Sequence, residues 1–194
     1  IKKIVVNTCY QHLTIKKFIK SFKFRKKLPK INITFEKKML ETGGGLKNAI
    51  EKFENSNILV VNGDSLLSYA YRDCPIKNLS SNYNDRNMDV LLLLSKKKNT
   101  FGYNGRGDYS RVSYSKASQL SSRNISFAQN YIFTGWQIIN KKILDNFSER
   151  IFSLKKVYDL AERKGKLYGV VQKGNFFHIG DAKSYGIIKK FYKL

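Results

Sequence analysis

The run Ile58-Leu59-Val60-Val61, followed at once by Asn62-Gly63-Asp64, constrains this chain more than any other segment. Four consecutive aliphatic residues present no polar face, so the strand they form is expected to be covered on both sides, which calls for helices packed on a sheet. The run ends in a glycine and then a carboxylate. Ligands of open α/β sheets sit at the carboxyl ends of strands, and a lone Asp there suits a Mg²⁺ ion that bridges phosphate oxygens. The same Asp also suits a second role, capping a following helix.

The rest of the chain repeats the pattern of short apolar runs and helical periods expected of βαβ units. Ile4 to Asn7, Ile31 to Phe35, Met88 to Leu94, Tyr131 to Ile139 and Leu167 to Val171 are the further strands expected. Ile15, Phe18, Ile19 and Phe22 recur at helical spacing and predict an amphipathic helix with those four side chains packed inward. Gly45 to Phe53 predicts a second helix with Leu46, Ala49, Ile50 and Phe53 inward, and Ser184 to Leu194 a closing helix or tail. Asn99 to Asn124 is rich in Gly, Ser, Tyr and Asn and predicts a hairpin over a pocket or a surface loop.

At 194 residues and 42% hydrophobic content the chain has enough apolar surface for a sizeable core, and residues 1–194 are expected to form a single α/β domain. No apolar run approaches the roughly 20 residues that cross a bilayer, so a cytoplasmic protein without a membrane partner is expected. Two distant cysteines, Cys9 and Cys74, offer neither a disulfide framework nor a zinc site. The formal charge of +23 invites a nucleic-acid reading, but of 37 basic residues only 8 are Arg, leaving 29 Lys spread along the chain. Dedicated phosphate and base recognition leans on the Arg fork, so a basic nucleic-acid-binding protein is the weakest of the functional readings. A positive surface still favours anionic small substrates.

A second ligand-competent segment is Leu40-Glu41-Thr42-Gly43-Gly44-Gly45, expected to follow a strand and open a helix so that its backbone N–H groups face an anion or a planar base. A flexible turn uses the same residues, so the triple glycine alone leaves the two open. The histidines His12 and His178 stand in no ligand-spaced sequence cluster, and no Ser-His-Asp or Cys-His pattern is visible. Direct attack of one bound substrate on another fits the chain better than covalent catalysis.

These segments, with Met88 to Leu94 leading to Gly105-Arg106-Gly107-Asp108-Tyr109, with Tyr131-Ile132-Phe133-Thr134-Gly135-Trp136-Gln137-Ile138, and with the closing Gly165 to Gly169 and Phe176 to Gly180, resemble the sugar-1-phosphate nucleotidyltransferases. Within that family the likeness is to bacterial uridylyl- and guanylyltransferases that make cell-wall or surface-polysaccharide precursors. The resemblance implies a Rossmann-like fold, a mixed and mostly parallel sheet flanked by helices. It implies transfer of a nucleotidyl group from UTP or GTP to a sugar 1-phosphate with release of pyrophosphate. Carried over residue by residue, it places Glu41, Thr42, Gly43, Gly44, Asn62 and Gly63 at the nucleotide, Asp108, Thr134 and Gly135 at the sugar, and Mg²⁺ on Asp64. His178 stands where many members have a second metal-binding Asp, a doubtful position for an imidazole facing Mg²⁺; Asp181 is an alternative nearby. The family's Gly-rich phosphate loop, with an Arg and a later Lys, is expected before Ile1, so the N-terminal βα unit is expected to be missing from these residues. That expectation makes a catalytically inactive remnant or nucleotide-binding module the alternative to the enzyme.

Overall fold

The described residues of the computed structural model are 1–21, 29–111, 117–121 and 131–192. They group into two compact units, residues 1–56 with 144–157, and residues 57–143 with 158–194.

In the first unit, β1 (Lys3–Thr8), α1 (His12–Ser21) and β2 (Lys30–Phe35) form a βαβ motif, followed by α2 (Glu41–Ile50). The two strands pair in parallel, Lys3 opposite Lys30 through Thr8 opposite Phe35. The inward face expected on α1 is shallow: Ile15 and Ile19 are half-buried and Phe18 is exposed. A sheet of two strands offers a helix only a narrow apolar surface. Phe22 lies outside the described residues. Polar groups do much of the ordering instead. Glu36, buried, accepts the Leu40 N–H (3.1 Å) and the Asn7 side-chain amide. Thr34 Oγ1 donates to Asn7 Oδ1 (2.8 Å), and Thr8 Oγ1 donates to Thr34 O (2.8 Å).

α2 starts four residues earlier than the sequence pattern suggests and ends at Ile50, so the three glycines lie inside its first two turns and are buried. A helix accommodates glycine poorly unless something must come close, and here residues 150–152 do. A methyl group at Gly43 would lie 2.5 Å from the Phe152 ring, and one at Gly44 would overlap the Arg150 carbonyl oxygen. Phe152 in turn stacks on Phe147, with ring centroids 4.9 Å apart.

The second unit is built from β3 (Asn57–Val61), β4 (Ser65–Ser68), α3 (Pro75–Asn82), β5 (Val90–Lys96), β6 (Thr100–Phe101), β7 (Ser110–Arg111), β8 (Ala117–Ser121) and β9 (Tyr131–Asn140). After α4 (Leu154–Arg163), whose opening residues count with the first unit, come β10 (Leu167–Val171), β11 (Asn175–His178) and α5 (Ala182–Tyr192). Six strands run in the order β3-β9-β5-β10-β8-β7, and β4-β11-β6 make a second sheet.

The mixed α/β class is as expected, but the proportion of parallel pairs is not. In the six-stranded sheet only β5 and β10 are parallel; β9 enters antiparallel between β3 and β5, and β8 lies antiparallel to both β10 and β7. The doubly covered strand is β5, where Val90 through Ser95 are all buried. β3 lies at the edge of this sheet, and Val61 at its end is exposed. On one side of the sheet Leu91, Leu93, Ile132, Ile138 and Val170 pack with Leu67, Leu79, Met88 and Phe176. Pro75 opens α3, at the helical position that needs no N–H partner. The polar stretch from Asn99 holds β6 and the β7–β8 pair; residues 112–116 and 122–124 fall outside the described ones. No described helix is long and apolar enough to cross a membrane.

Candidate active site

The turn after β3 ends at Asp64, and the chain then continues into β4 rather than into a helix, which removes the helix-capping role. β4 pairs antiparallel with β11, setting Ser65 opposite His178. The Ile179 N–H donates to the Asp64 carbonyl oxygen (2.9 Å). This ladder carries the His178 ring to the carboxylate, with Nε2 3.4 Å from Oδ2. A histidine that stands alone in sequence thus acquires an acidic partner through strand pairing. Both side chains are only about half covered, 41% exposed for His178 and 44% for Asp64, so the pair faces outward.

Asp181 is engaged elsewhere. Its Oδ1 accepts the Ser184 N–H (2.6 Å) at the start of α5, and that hydrogen bond holds its carboxyl below the usual carboxylate range.

Around Asp64 the end of β3 is laced to β9. The Asn62 N–H donates to the Gly135 carbonyl (2.9 Å), and the Ser65 hydroxyl donates to the Thr134 carbonyl. Gly135 has φ +79°, and a Cβ there would lie 2.5 Å from Ser65 Oγ and 2.9 Å from Asn62 Cβ. Only glycine fits both the backbone conformation and the space. The structure therefore brings Asn62, Gly63, Asp64, Thr134, Gly135 and His178 into one neighbourhood. Ser65, which has no sequence signal of its own, joins them by strand register.

Two of the expected sugar-side residues have their polar atoms turned to the scaffold. Thr134 is fully buried and its hydroxyl donates to the Leu93 carbonyl (2.9 Å). Asp108 accepts the Phe133 N–H on Oδ2 (2.8 Å) and the Tyr103 hydroxyl on Oδ1 (2.9 Å), tying the 103–108 loop to β9. Burial first, and then the Asp108 hydrogen bond, push the Tyr103 hydroxyl up to about 12.

In the first unit the N–H groups expected to face a ligand are partly taken. Gly43 and Gly44 both donate to the Phe152 carbonyl, at 2.8 and 3.0 Å. Thr42 Oγ1 accepts the Leu154 N–H (2.9 Å). Glu41 remains exposed, with φ +59°, a conformation that costs a non-glycine residue about 1–2 kcal/mol. Among the described residues no group of three or more His, Cys, Asp or Glu side chains is placed to hold a metal ion.

No family model matches the chain. It is 24% identical over 181 residues to N-acetylmuramate alpha-1-phosphate uridylyltransferase of Caulobacter vibrioides, covering 93% of this chain and 73% of that protein. It is 26% identical over 190 residues to D-glycero-alpha-D-manno-heptose 1-phosphate guanylyltransferase of Aneurinibacillus thermoaerophilus, covering 95% and 76%. Among solved structures it superimposes on HddC from Yersinia pseudotuberculosis complexed with GMP-PN, with a TM-score of 0.73 at 22% identity over 99% of this chain and 79% of that one. UDP-glucose pyrophosphorylase complexed with UDP-glucose gives a TM-score of 0.72 at 10% identity.

The chain is similar to sugar-1-phosphate nucleotidyltransferases. The fold of those enzymes is the one described above, and both relatives matched in sequence are named for nucleotidyl transfer to a sugar 1-phosphate. For a nucleotidyltransferase relative, the end of β3 with its facing β9 glycine is the place where strand ends, an open carboxylate and a close backbone approach coincide.

Proposed function

We propose that this protein transfers a nucleotidyl group from UTP or GTP to a sugar 1-phosphate, forming a nucleotide sugar for the assembly of surface polysaccharide or cell wall. In this reaction a phosphate oxygen of the sugar 1-phosphate forms a bond to the α-phosphorus while the bond from that phosphorus to the pyrophosphate oxygen breaks. The observation that supports it is the Asp64 carboxylate, half-exposed at the end of β3 and held by β11 beside His178.

The donor set fits Mg²⁺ in a limited way. Mg²⁺ favours hard oxygen donors and commonly takes one or two carboxylates, completing its shell with phosphate oxygens and water. Asp64 supplies such an oxygen, while the His178 imidazole suits it less and is better read as the group that orients the carboxylate. A bound Mg²⁺ supplies neutralisation of charge on the transferring phosphate. The chain itself contributes position: Gly135 lets the β3 turn, with Asn62 and Ser65, close directly onto β9, and the Asn62 N–H fixes that turn through the Gly135 carbonyl. Thr134 and Asp108 act behind that surface, by holding β9. The basic surface favours both anionic substrates.

Pyrophosphate release is the test, with the natural full-length polypeptide, UTP and GTP side by side, and muramic and hexose 1-phosphates as acceptors. Asp64→Asn is expected to lower the rate by about two to three orders of magnitude, the scale typical of losing one transition-state charge partner. Asp181→Asn is expected to leave it near the parent value. An Asp64→Asn protein as fast as the parent would remove Asp64 from the reaction.

A further inference from the structure

The first unit carries a surface groove whose basic residues have no role assigned in the reaction proposed above. A cavity of about 620 Å³ is lined by Phe35, Lys37, Lys38, Asn48, Arg150 and Ile151, among others. That is within the range of small-ligand sites. Lys37, Lys38 and Arg150 stand in no ion pair among the described residues. The one carboxylate on this lining, Glu36, is buried and already occupied by the Leu40 N–H and the Asn7 amide. Those bonds anchor the start of the Lys37–Leu40 segment, so the two lysines rise from a fixed base. At the opposite wall the backbone of Arg150 is pressed against Gly44, where any side chain would collide with its carbonyl. Phe35 and Ile151, 51% and 53% exposed, add an aromatic and an aliphatic surface to the same cavity. The adjoining smaller cavity of about 260 Å³ contains Glu51 and Glu149, but Glu149 pairs with Lys156 at 3.1 Å.

Three uncompensated cations beside an exposed aromatic ring make a recognisable combination. Arg and Lys hold phosphate oxygens through charge-assisted hydrogen bonds, and an aromatic face accepts a flat ring by stacking. Asn48 brings an amide with both a donor and an acceptor to the same cavity. We propose that this groove binds a nucleoside phosphate, with Lys37, Lys38 and Arg150 on the phosphate and Phe35 against the base. The groove lies wholly within the first unit, and binding there does not require the transfer reaction proposed above.

Titration calorimetry of the chain with uridine 5′-monophosphate, without added Mg²⁺ and at physiological ionic strength, tests this. Binding is expected, and the Lys37→Ala/Lys38→Ala and Arg150→Ala proteins are each expected to lose about tenfold or more in affinity, the scale of a lost charge-assisted hydrogen bond. All three side chains are exposed, so the melting temperatures should stay near the parent value, which separates lost binding from lost folding. Asp64→Asn is expected to bind as the parent does. Phe35→Ala should weaken uridine monophosphate while leaving inorganic phosphate unchanged. The proposal is overturned if the monophosphate does not bind, if the groove substitutions leave binding intact, or if inorganic phosphate binds as tightly as the nucleotide. It is also overturned if a single-stranded oligonucleotide displaces the nucleotide with a steep salt dependence, which would mark a polymer surface instead.

Discussion

The two units reach order by different means. In the second, six consecutive residues of β5 are withdrawn from water on both faces of a six-stranded sheet, and the hydrophobic term dominates. In the first, Ile4, Val5, Val6, Ile31 and Ile33 are only half-covered, while Thr8, Thr34 and Glu36 are the buried members of the strand region. There a hydrogen-bonded polar cluster and the close seat of residues 150–152 on the glycines carry what apolar burial does not. A two-stranded motif gains less per residue from burial, so it leans on groups whose geometry must be exact to be worth anything.

The contrast is breakable. Leu92→Ala, at a fully buried position in β5, is expected to destabilise the chain by about 2–5 kcal/mol in urea unfolding, whereas Ile4→Ala in β1 should cost about 1 kcal/mol. Equal costs would erase the distinction. Gly44→Ala sharpens it from the other side: the new methyl group meets the Arg150 carbonyl, and overpacking of that kind costs about 1–3 kcal/mol. A neutral Gly44→Ala would mean that residues 150–152 do not brace the first unit.

The smallest effect is pH-dependent and belongs to the second unit. Tyr103 is raised from 10.0 to about 12, so its neutral form is favoured by folding. The stability this adds is fully present below pH 10 and is lost as pH rises toward 12. The gap in melting temperature between the parent and Tyr103→Phe should therefore narrow across that window. A gap that stays constant would show that the Asp108 hydrogen bond does not set it.

Legibility in the sequence followed the range of the interactions. Strands with continuous apolar runs were visible, and Leu167–Val171 was placed to the residue, because hydrophobic pattern is local. The short strands β4, β6, β7 and β11 were not, since two to four residues carry no usable period and owe their state to pairing partners. α4 also escaped, although its Leu154, Val157, Tyr158 and Ala161 are buried at helical spacing. Asp64 could be singled out from its place after an apolar strand, but its pairing with His178 depends on the β4–β11 register. The triple glycine reads in sequence as a ligand-facing segment or a flexible turn; what approaches Gly43 and Gly44 in the structure is the chain's own residues 150–152, a tertiary fact that no local pattern contains.

The β4–β11 ladder also dates the site. Asp64 leaves the ribosome long before His178 and Ile179, and the hydrogen bond that fixes its carbonyl comes from Ile179. The carboxylate turn therefore lacks one of its ties until the chain has been made as far as Ile179, a contact of long sequence separation. The strand that completes this turn, β11, also gives Phe176 to the core, so the turn and the last part of the core close together.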